Sequence, residues 1–435
     1  MSASPCYRHL RNTCADCFRR TDFRVLSALR CELSSLDDIS CLKAMDSICV
    51  HLLARPDGNH DLMEPLLLQD AVPEGFCSEQ DLLALFRGVR EEVEQRGIDA
   101  PLRVYVDGML SLQHADRLVR SVPDTAEGIQ DWMEGTLAVE QFGIVLNDAE
   151  RWADGLTRRA RTLFRPVVEH WGAAETAIEL VLFAGNYGHT PFGVHLDDEF
   201  TQTVHFQLSG CGKSMTLYDP ETYARFAAGA KRYFAAEELP PGGQTYSMPA
   251  GSVFLLPAGW YHVGSNQDFS IGLAVALSHF PPREVARQAM QHALQASESP
   301  GWLDLDFSED EDKTCREWMR CALETMTARQ KSKGSFARAV VRRPFQLDMD
   351  DQVCIDRDFP PQVLVRNTRL IVFCRGHRIE TGMQEAKLRV LERLLSANSS
   401  TIRVLLHQEK TAVPSAVLAL LSEMGACGGL HHVTP

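Results

Sequence analysis

The sequence predicts an α+β protein with a double-stranded β-helix (jelly-roll) core, a helical region before it and a helical plus winged-helix-like region after it. Three observations predict this class. Between residues 176 and 280, five apolar segments (AIELVLFAG, TQTVHFQLSG, SMTLYDP, QTYSMPAGSVFLLPAG and FSIGLAVALSHF) follow one another with Gly and Pro between them, the signature of many short strands and tight turns. Helical spacing dominates the first hundred residues and returns after Phe280. The chain has 435 residues, more than one core usually serves, so several domains are expected.

Composition narrows the class of function. Hydrophobic residues make up 45% and charged residues 23% of the chain, ordinary values for a globular protein. The formal net charge of -14 argues against nonspecific binding to nucleic acid or an anionic membrane. No apolar run approaches the ~20 residues of a membrane span. The N-terminal stretch MSASPCYRHLRNTCADCFRR lacks the apolar segment of a secretory signal, so a cytoplasmic protein is expected. The 13 cysteines are scattered and odd in number, which favours reduced thiols. Cys6, Cys14, Cys17 and Cys31 form one cluster, with His9 nearby, but no second paired motif completes a zinc ribbon.

Taken in order, residues 1–100 read as a helical N-terminal region. Leu26, Leu29, Leu33 and Leu36 recur at helical spacing. Pro56, Gly58, Pro65 and Pro73 mark a connector between Arg55 and Gly75. SEQDLLALFRGVREEVEQRG then reads as a helix with Ser78 as N-cap and Gly97 as stop. Residues 101–285 form the expected jelly-roll domain: a strand in PLRVYVDGML, helices over Ala126–Gln141 and Ala149–Trp171, then the strands above. The Ala-rich ETYARFAAGAKRYFAAEE reads as a helical insertion. Residues 286–345 read as a helical linker, with PPREVARQAMQHALQA, an acidic connector at Ser308–Asp312 and a second helix in DKTCREWMRCALETMTARQKSKG. Residues 346–435 carry strand-like FQLDM, PPQVLVR and RLIVFCRG, then helix, short segment, helix, Gly-Gly and a terminal strand. That order is winged-helix-like.

The chemistry concentrates in His195-Leu196-Asp197. In a β-strand, side chains at i and i+2 leave the same face, so both can address one ion. His262, in FLLPAGWYHVGS, offers a third ligand from a second strand. Two imidazoles and one carboxylate on one face match the facial triad of non-haem Fe(II) sites. Asp198, by alternation, is the surface member of its pair. A lone histidine in an apolar strand, His205, is more often a satisfied core residue than a ligand, yet it shares the face of Asp197 and is a candidate cosubstrate contact. Trp260 and Tyr261 suit either the core or a pocket wall.

These residues carry a resemblance. Thr190-Pro191, His195-Leu196-Asp197, Gly212-Lys213, Pro257-Ala258-Gly259-Trp260-Tyr261-His262 and Ser270-Ile271 occur in the order found in JmjC and cupin-type 2-oxoglutarate, Fe(II)-dependent oxygenases, and residues 101–285 resemble that family. The spacing departs from it at Phe192-Gly193-Val194. The layout of the C-terminal third resembles the ribosomal-oxygenase branch. The resemblance implies that His195, Asp197 and His262 hold Fe(II), that 2-oxoglutarate and dioxygen are cosubstrates, and that Lys213 pairs with the distal carboxylate. Thr190, Ser270 and Thr203 are the hydroxyl candidates beside it. It implies hydroxylation of an amino-acid side chain in a protein or peptide, with release of succinate and CO2. Oxidation of a free amino acid or natural-product intermediate, or a non-catalytic cupin-fold binding protein, are the competing readings. The apolar faces of the helices after residue 281 raise the expectation of a homodimer.

Overall fold

The computed structural model describes residues 48–50, 52–53, 63–124, 128–234, 239–295, 309–397, 399–408 and 414–433. The cysteine cluster at 6–31 and the leucine repeat at 26–36 lie outside the described residues. The cysteines assigned in the described part are free thiols.

The chain enters through β1 (Leu66–Leu68) and α1 (Glu79–Arg96). Helix α1 starts where expected: Ser78 and Asp81 form a reciprocal capping box, and Gly97 ends the helix in the left-handed region at φ 61°. PLRVYVDGML, read as one strand, is a hairpin of β2 (Arg103–Val106) and β3 (Met109–Leu110). Its Asp107-Gly108 turn has positive φ at both residues, the conformation that Asp-Gly favours in a two-residue hairpin loop. SLQHADRLVR forms a helix the sequence reading passed over, α2 (Leu112–Arg120), capped by Ser111. The helix expected over Ala126–Gln141 is shorter, α3 (Ile129–Leu137), and is closed by Ala138 at φ 53°. Phe142–Leu146 then form a fully buried strand, β4. The next helix starts later than Ala149: a single 3-10 turn, Ala149–Arg151, precedes α4 (Asp154–Trp171).

The strands that follow are β5 (Thr176–Gly185), β6 (Gly188–His189), β7 (Val194–His195), β8 (Thr201–Gly210) and β9 (Lys213–Tyr218). After α5 (Pro220–Ala227) come β10 (Arg232–Tyr233), β11 (Gln244–Met248), β12 (Val253–Leu256), β13 (Tyr261–Asn266) and β14 (Ser270–His279). QTYSMPAGSVFLLPAG, read as one strand, is two. Ser252 donates to the Pro249 carbonyl at 3.1 Å, and this turn sends β11 and β12 into different sheets. One sheet has eight strands in the order β1-β12-β8-β14-β5-β4-β2-β3; the other runs β10-β7-β13-β9-β11, with β6 beside β13. All strand pairs in both are antiparallel. The protein is thus a mixed helix-and-sheet structure built on antiparallel sheets.

Period-2 alternation sorts the residues of the large sheet. Ile178, Leu180 and Leu182 of β5, Val204 and Phe206 of β8, and Leu273 and Val275 of β14 join the main core with Phe86 of α1 and Phe164 of α4. The alternate residues, Glu179, Val181, Phe183, Thr201, Thr203, His205, Ala274 and Ala276, line a cavity whose other wall is the smaller sheet. Helices cover one face, so the polar residues of β8 are directed inward at that cavity and away from bulk solvent.

Beyond β14, α6 (Pro282–Gln295) and α7 (Glu309–Ser332) pack through Val285, Ala289, Ala322 and Met326. The acidic stretch expected as a connector is already helical from Glu309; Ser308 lies outside the described residues. FQLDM is not a strand. The C-terminal part contains β15 (Gln352–Ile355), β16 (Gln362–Arg366), β17 (Arg369–Cys374), β18 (His377–Gly382), α8 (Glu385–Ser396), β19 (Ser400–Thr401), α9 (Ile402–Gln408), α10 (Pro414–Ala426) and β20 (Leu430–His432). Its strands form two three-stranded sheets, β19-β15-β20 and β16-β17-β18, around a separate core that includes Val353, Val372, Val390, Leu405 and Leu421. The join to α4 is ionic. Asp356, whose side chain is 0% exposed, accepts from Arg158 at 2.7 and 3.0 Å and from Arg375 at 3.3 Å. Among the described residues, no helix is long and apolar enough to cross a membrane.

Candidate metal centre and its cavity

His195 ends β7 and His262 is the second residue of β13. The two are register partners across the antiparallel pair, and their ring centroids lie 4.4 Å apart. Asp197 lies two residues after β7, in the irregular segment past the strand. Alternation therefore carries its side chain to the histidine face, although the strand itself has ended. Asp197 Oδ1 is 3.8 Å from His195 Nε2 and 3.9 Å from His262 Nε2. One ligand atom from each residue lies within 4.8 Å of the others, so the three can hold a metal ion. The His195 Nδ1 is 3.0 Å from the Gly193 carbonyl. Donation there fixes the tautomer that leaves Nε2 with a free lone pair. Burial first, and then the neighbouring His262, hold the His195 imidazole well below its ordinary pKa, in the neutral form that ligates.

The other carboxylate oxygen, Asp197 Oδ2, accepts from Thr203 Oγ1 at 3.1 Å. Thr203, offered by the sequence as a hydroxyl for the cosubstrate, thus bonds a carboxylate of the cluster that can hold a metal. Asp198 is exposed, as alternation predicts.

The cavity has a volume of about 550 Å³. Lys213 opens β9 and is 8% exposed. Its ammonium lies 4.7 Å from the centroid of the Phe183 ring, and no carboxylate pairs with it among the described residues. Burial pushes its pKa down to about 8. Thr190 also lines the cavity, and its buried Oγ1 has no hydrogen-bond partner among the described residues. His205 Nε2 is likewise buried without a partner. A buried cation and two orphaned polar atoms around one cavity are costly unless a ligand satisfies them. This donor set fits an anion beside a metal.

Ser270 is not brought into this cavity. Its Oγ accepts from Asn266 Nδ2 at 2.9 Å, an internal bond at the start of β14. Trp260 and Tyr261 are packing residues: Trp260 Nε1 donates to the Met63 carbonyl at 2.8 Å, and Tyr261 stacks on Tyr223. Neither lines the cavity.

Several cavity residues escaped the sequence reading. Gly264 is one: a Cβ there would stand 2.4 Å from Lys213 Cε and 3.4 Å from Thr190 Cγ2. Its signal was its place two residues after His262 on the same face. Phe192 stands edge-on to His195 at 5.6 Å and to Tyr105 at 6.0 Å, and Arg103 lies 5.1 Å over its ring. Phe192, one of the residues that lengthen the segment before His195, therefore forms part of the cavity wall. Gly193 makes that turn at φ +68°, where a Cβ would lie 2.3 Å from the Tyr233 carbonyl oxygen.

No protein-family model and no curated protein matches the sequence. Among solved structures, the chain is similar to ribosomal oxygenases. The similar structures are those of Escherichia coli YcfD. One crystal structure of it shares 15% identity at a TM-score of 0.43, covering 86% of this chain and 96% of that one. Its complex with cobalt and succinic acid shares 14% at 0.43, and that with cobalt and 2-oxoglutarate 14% at 0.41, with the same coverage.

Proposed function

We propose that this protein is a 2-oxoglutarate- and Fe(II)-dependent oxygenase that hydroxylates an amino-acid side chain in a protein or peptide. The observation that carries the reading is the His195–Asp197–His262 cluster sharing a cavity with the buried, unpaired Lys213. His195, Asp197 and His262 are the metal ligands in this reading. Lys213 and Thr190 receive the distal carboxylate of 2-oxoglutarate, which needs a buried cation. When bound, Fe(II) and 2-oxoglutarate supply the oxidation by dioxygen that hydroxylates the substrate and releases succinate and CO2. The chain's own part is geometric. Thr203 holds Asp197, the Gly193 carbonyl orients His195, and the two sheets exclude water from the reacting groups.

The same reading takes residues 101–285 as a jelly-roll catalytic domain of the cupin type, and residues 346–435 as a winged-helix-like module that docks a large substrate. The regions outside residues 101–285 enlarge the surface available for docking, which supports a protein substrate over a free metabolite.

The test is release of succinate and CO2 from 2-oxoglutarate, with Fe(II) loaded anaerobically and air then admitted. Turnover by the wild type and none by Asp197→Ala is the expected result. Absence of metal binding in the wild type would remove the reading.

A further inference from the structure

We propose that the β2–β3 hairpin is a docking surface for the polypeptide substrate, which leaves the metal site over Phe192 and Tyr105 and seats an apolar side chain on Leu110 and Leu112. This rests on the oxygenase reading and deepens it by tracing where the substrate chain runs. The hairpin and the residues after it carry an apolar cluster open to solvent: Met109 is 72% exposed, Leu110 54% and Leu112 66%. Single exposed apolar residues are ordinary, but three within four positions form a patch of the kind that marks a binding surface.

The strand ladder connects this patch to the metal site. Arg103 and Tyr105 leave β2 on one face, and Arg103 lines the cavity, so that face is continuous with it. Leu110 is the register partner of Tyr105, and facing residues of an antiparallel pair leave the same side. Phe192 spans the gap inward, standing edge-on to Tyr105 at 6.0 Å and to His195 at 5.6 Å. Arg103 supports that ring: its guanidinium lies 5.1 Å from the centroid and donates to Asn147 Oδ1 at 2.8 Å. From His195 through Phe192 and Tyr105 to Leu110 the path is at most about 17 Å, which an extended peptide covers in about five residues at ~3.3 Å each. A free metabolite held in the cavity does not reach Leu110. A second copy of this chain is a poorer occupant. A stable dimer buries on the order of 1,600 Å², far more than one hairpin supplies, and β3 has only two residues. The partner is therefore an extended polypeptide with a large apolar residue about five positions from the one oxidised.

The experiment incubates the Fe(II)-loaded protein, 2-oxoglutarate and air with a synthetic library of random peptides about fifteen residues long, and locates the added oxygen by mass spectrometry. Oxidised peptides should be enriched in a large apolar residue about four to six positions to one side of the oxidised one. For the best of them, Leu110→Asp should raise KM roughly tenfold or more with kcat unchanged. Co(II) stoichiometry and melting temperature of that variant should match the wild type, because Leu110 is exposed. Oxidised peptides without the apolar enrichment, or a wild-type KM in Leu110→Asp, overturn the docking surface and leave the oxygenase reading standing. Succinate release with no library peptide oxidised does the same. Light scattering that shows a wild-type dimer dissociated by Leu110→Asp gives the hairpin to a second copy and also overturns the proposal. A wild-type protein that binds no metal overturns both readings.

Discussion

His195 and His262 are direct register partners on adjacent antiparallel strands, with ring centroids 4.4 Å apart. Facing positions in an antiparallel pair hold their Cβ atoms ~5 Å apart, so the backbone ladder itself sets the separation of the two imidazoles. Asp197 then needs only to reach back from the turn. His195→Ala should abolish metal binding while the thermal transition persists, read by Co(II) titration and calorimetric melting. Retained stoichiometric Co(II) binding would refute the ligand assignment.

Thr203 offers a graded version of the same test. Removing its bond to Asp197 with Thr203→Val should lower metal affinity or turnover roughly 10–100-fold, without loss of stoichiometry. An unchanged metal affinity and rate would show that Asp197 is oriented by its backbone alone.

Gly264 and Lys213 predict a paired result. Gly264→Ala places a Cβ 2.4 Å from Lys213 Cε, so the end of the lysine side chain must shift. Cosubstrate binding should fall as far as in Lys213→Ala, with Co(II) binding retained. Tight 2-oxoglutarate binding by both Gly264→Ala and Lys213→Ala would exclude Lys213 as the anchor.

Lys213 also sets a pH dependence. With its pKa pushed down to about 8 by burial, the cavity is cationic below that value and neutral above it. Affinity for 2-oxoglutarate should be constant on the acid side and fall, by up to about tenfold per unit, as pH rises beyond 8. Lys213→Met should bind weakly with no such slope. The check is a series of dissociation constants from pH 7 to 9.5.

Glu150 predicts a stability effect away from the cavity. Its carboxyl is buried, accepting from the backbone N–H groups of Leu180 and Arg338, and burial raises its pKa from 4.5 to about 8. The folded state therefore holds this proton more tightly than the unfolded chain does. The resulting stabilisation is complete below pH 4.5 and is lost as pH rises through 8. Buried Lys333, lowered to about 7, acts in the opposite sense, so the comparison is with Glu150→Gln. Between pH 5 and 9 the melting temperature of the wild type should fall relative to that variant. Parallel curves would refute the assignment.

The metal-site residues and Lys213 were legible because their signals are local. His-x-Asp, a Gly-Lys pair after a strand and Trp-Tyr-His after a turn are each written within a few residues. Helix α1 was legible for the same reason, since Ser78 and Gly97 are caps that act on their own helix. The break after Met248 and the strand Phe142–Leu146 were not. Apolar runs look alike whether one strand or two, and a buried β4 has no alternation to read.

What the sequence by itself determined is therefore which residue types could hold a metal ion and which cation would stand beside them. It could not sort the hydroxyls. Thr190 and Ser270 were the first candidates, with Thr203 behind them, but only the pairing of β8 with β12 and β14 turns Thr203 toward Asp197, and only the contact with Asn266 withdraws Ser270. The tertiary structure alone decided that Gly264 makes room for Lys213, that Phe183 lies against its ammonium, and that Phe192 walls the metal site. The physical reason is that these contacts join residues on different strands or sheets. Their distances depend on register and sheet packing, which no short stretch of sequence encodes.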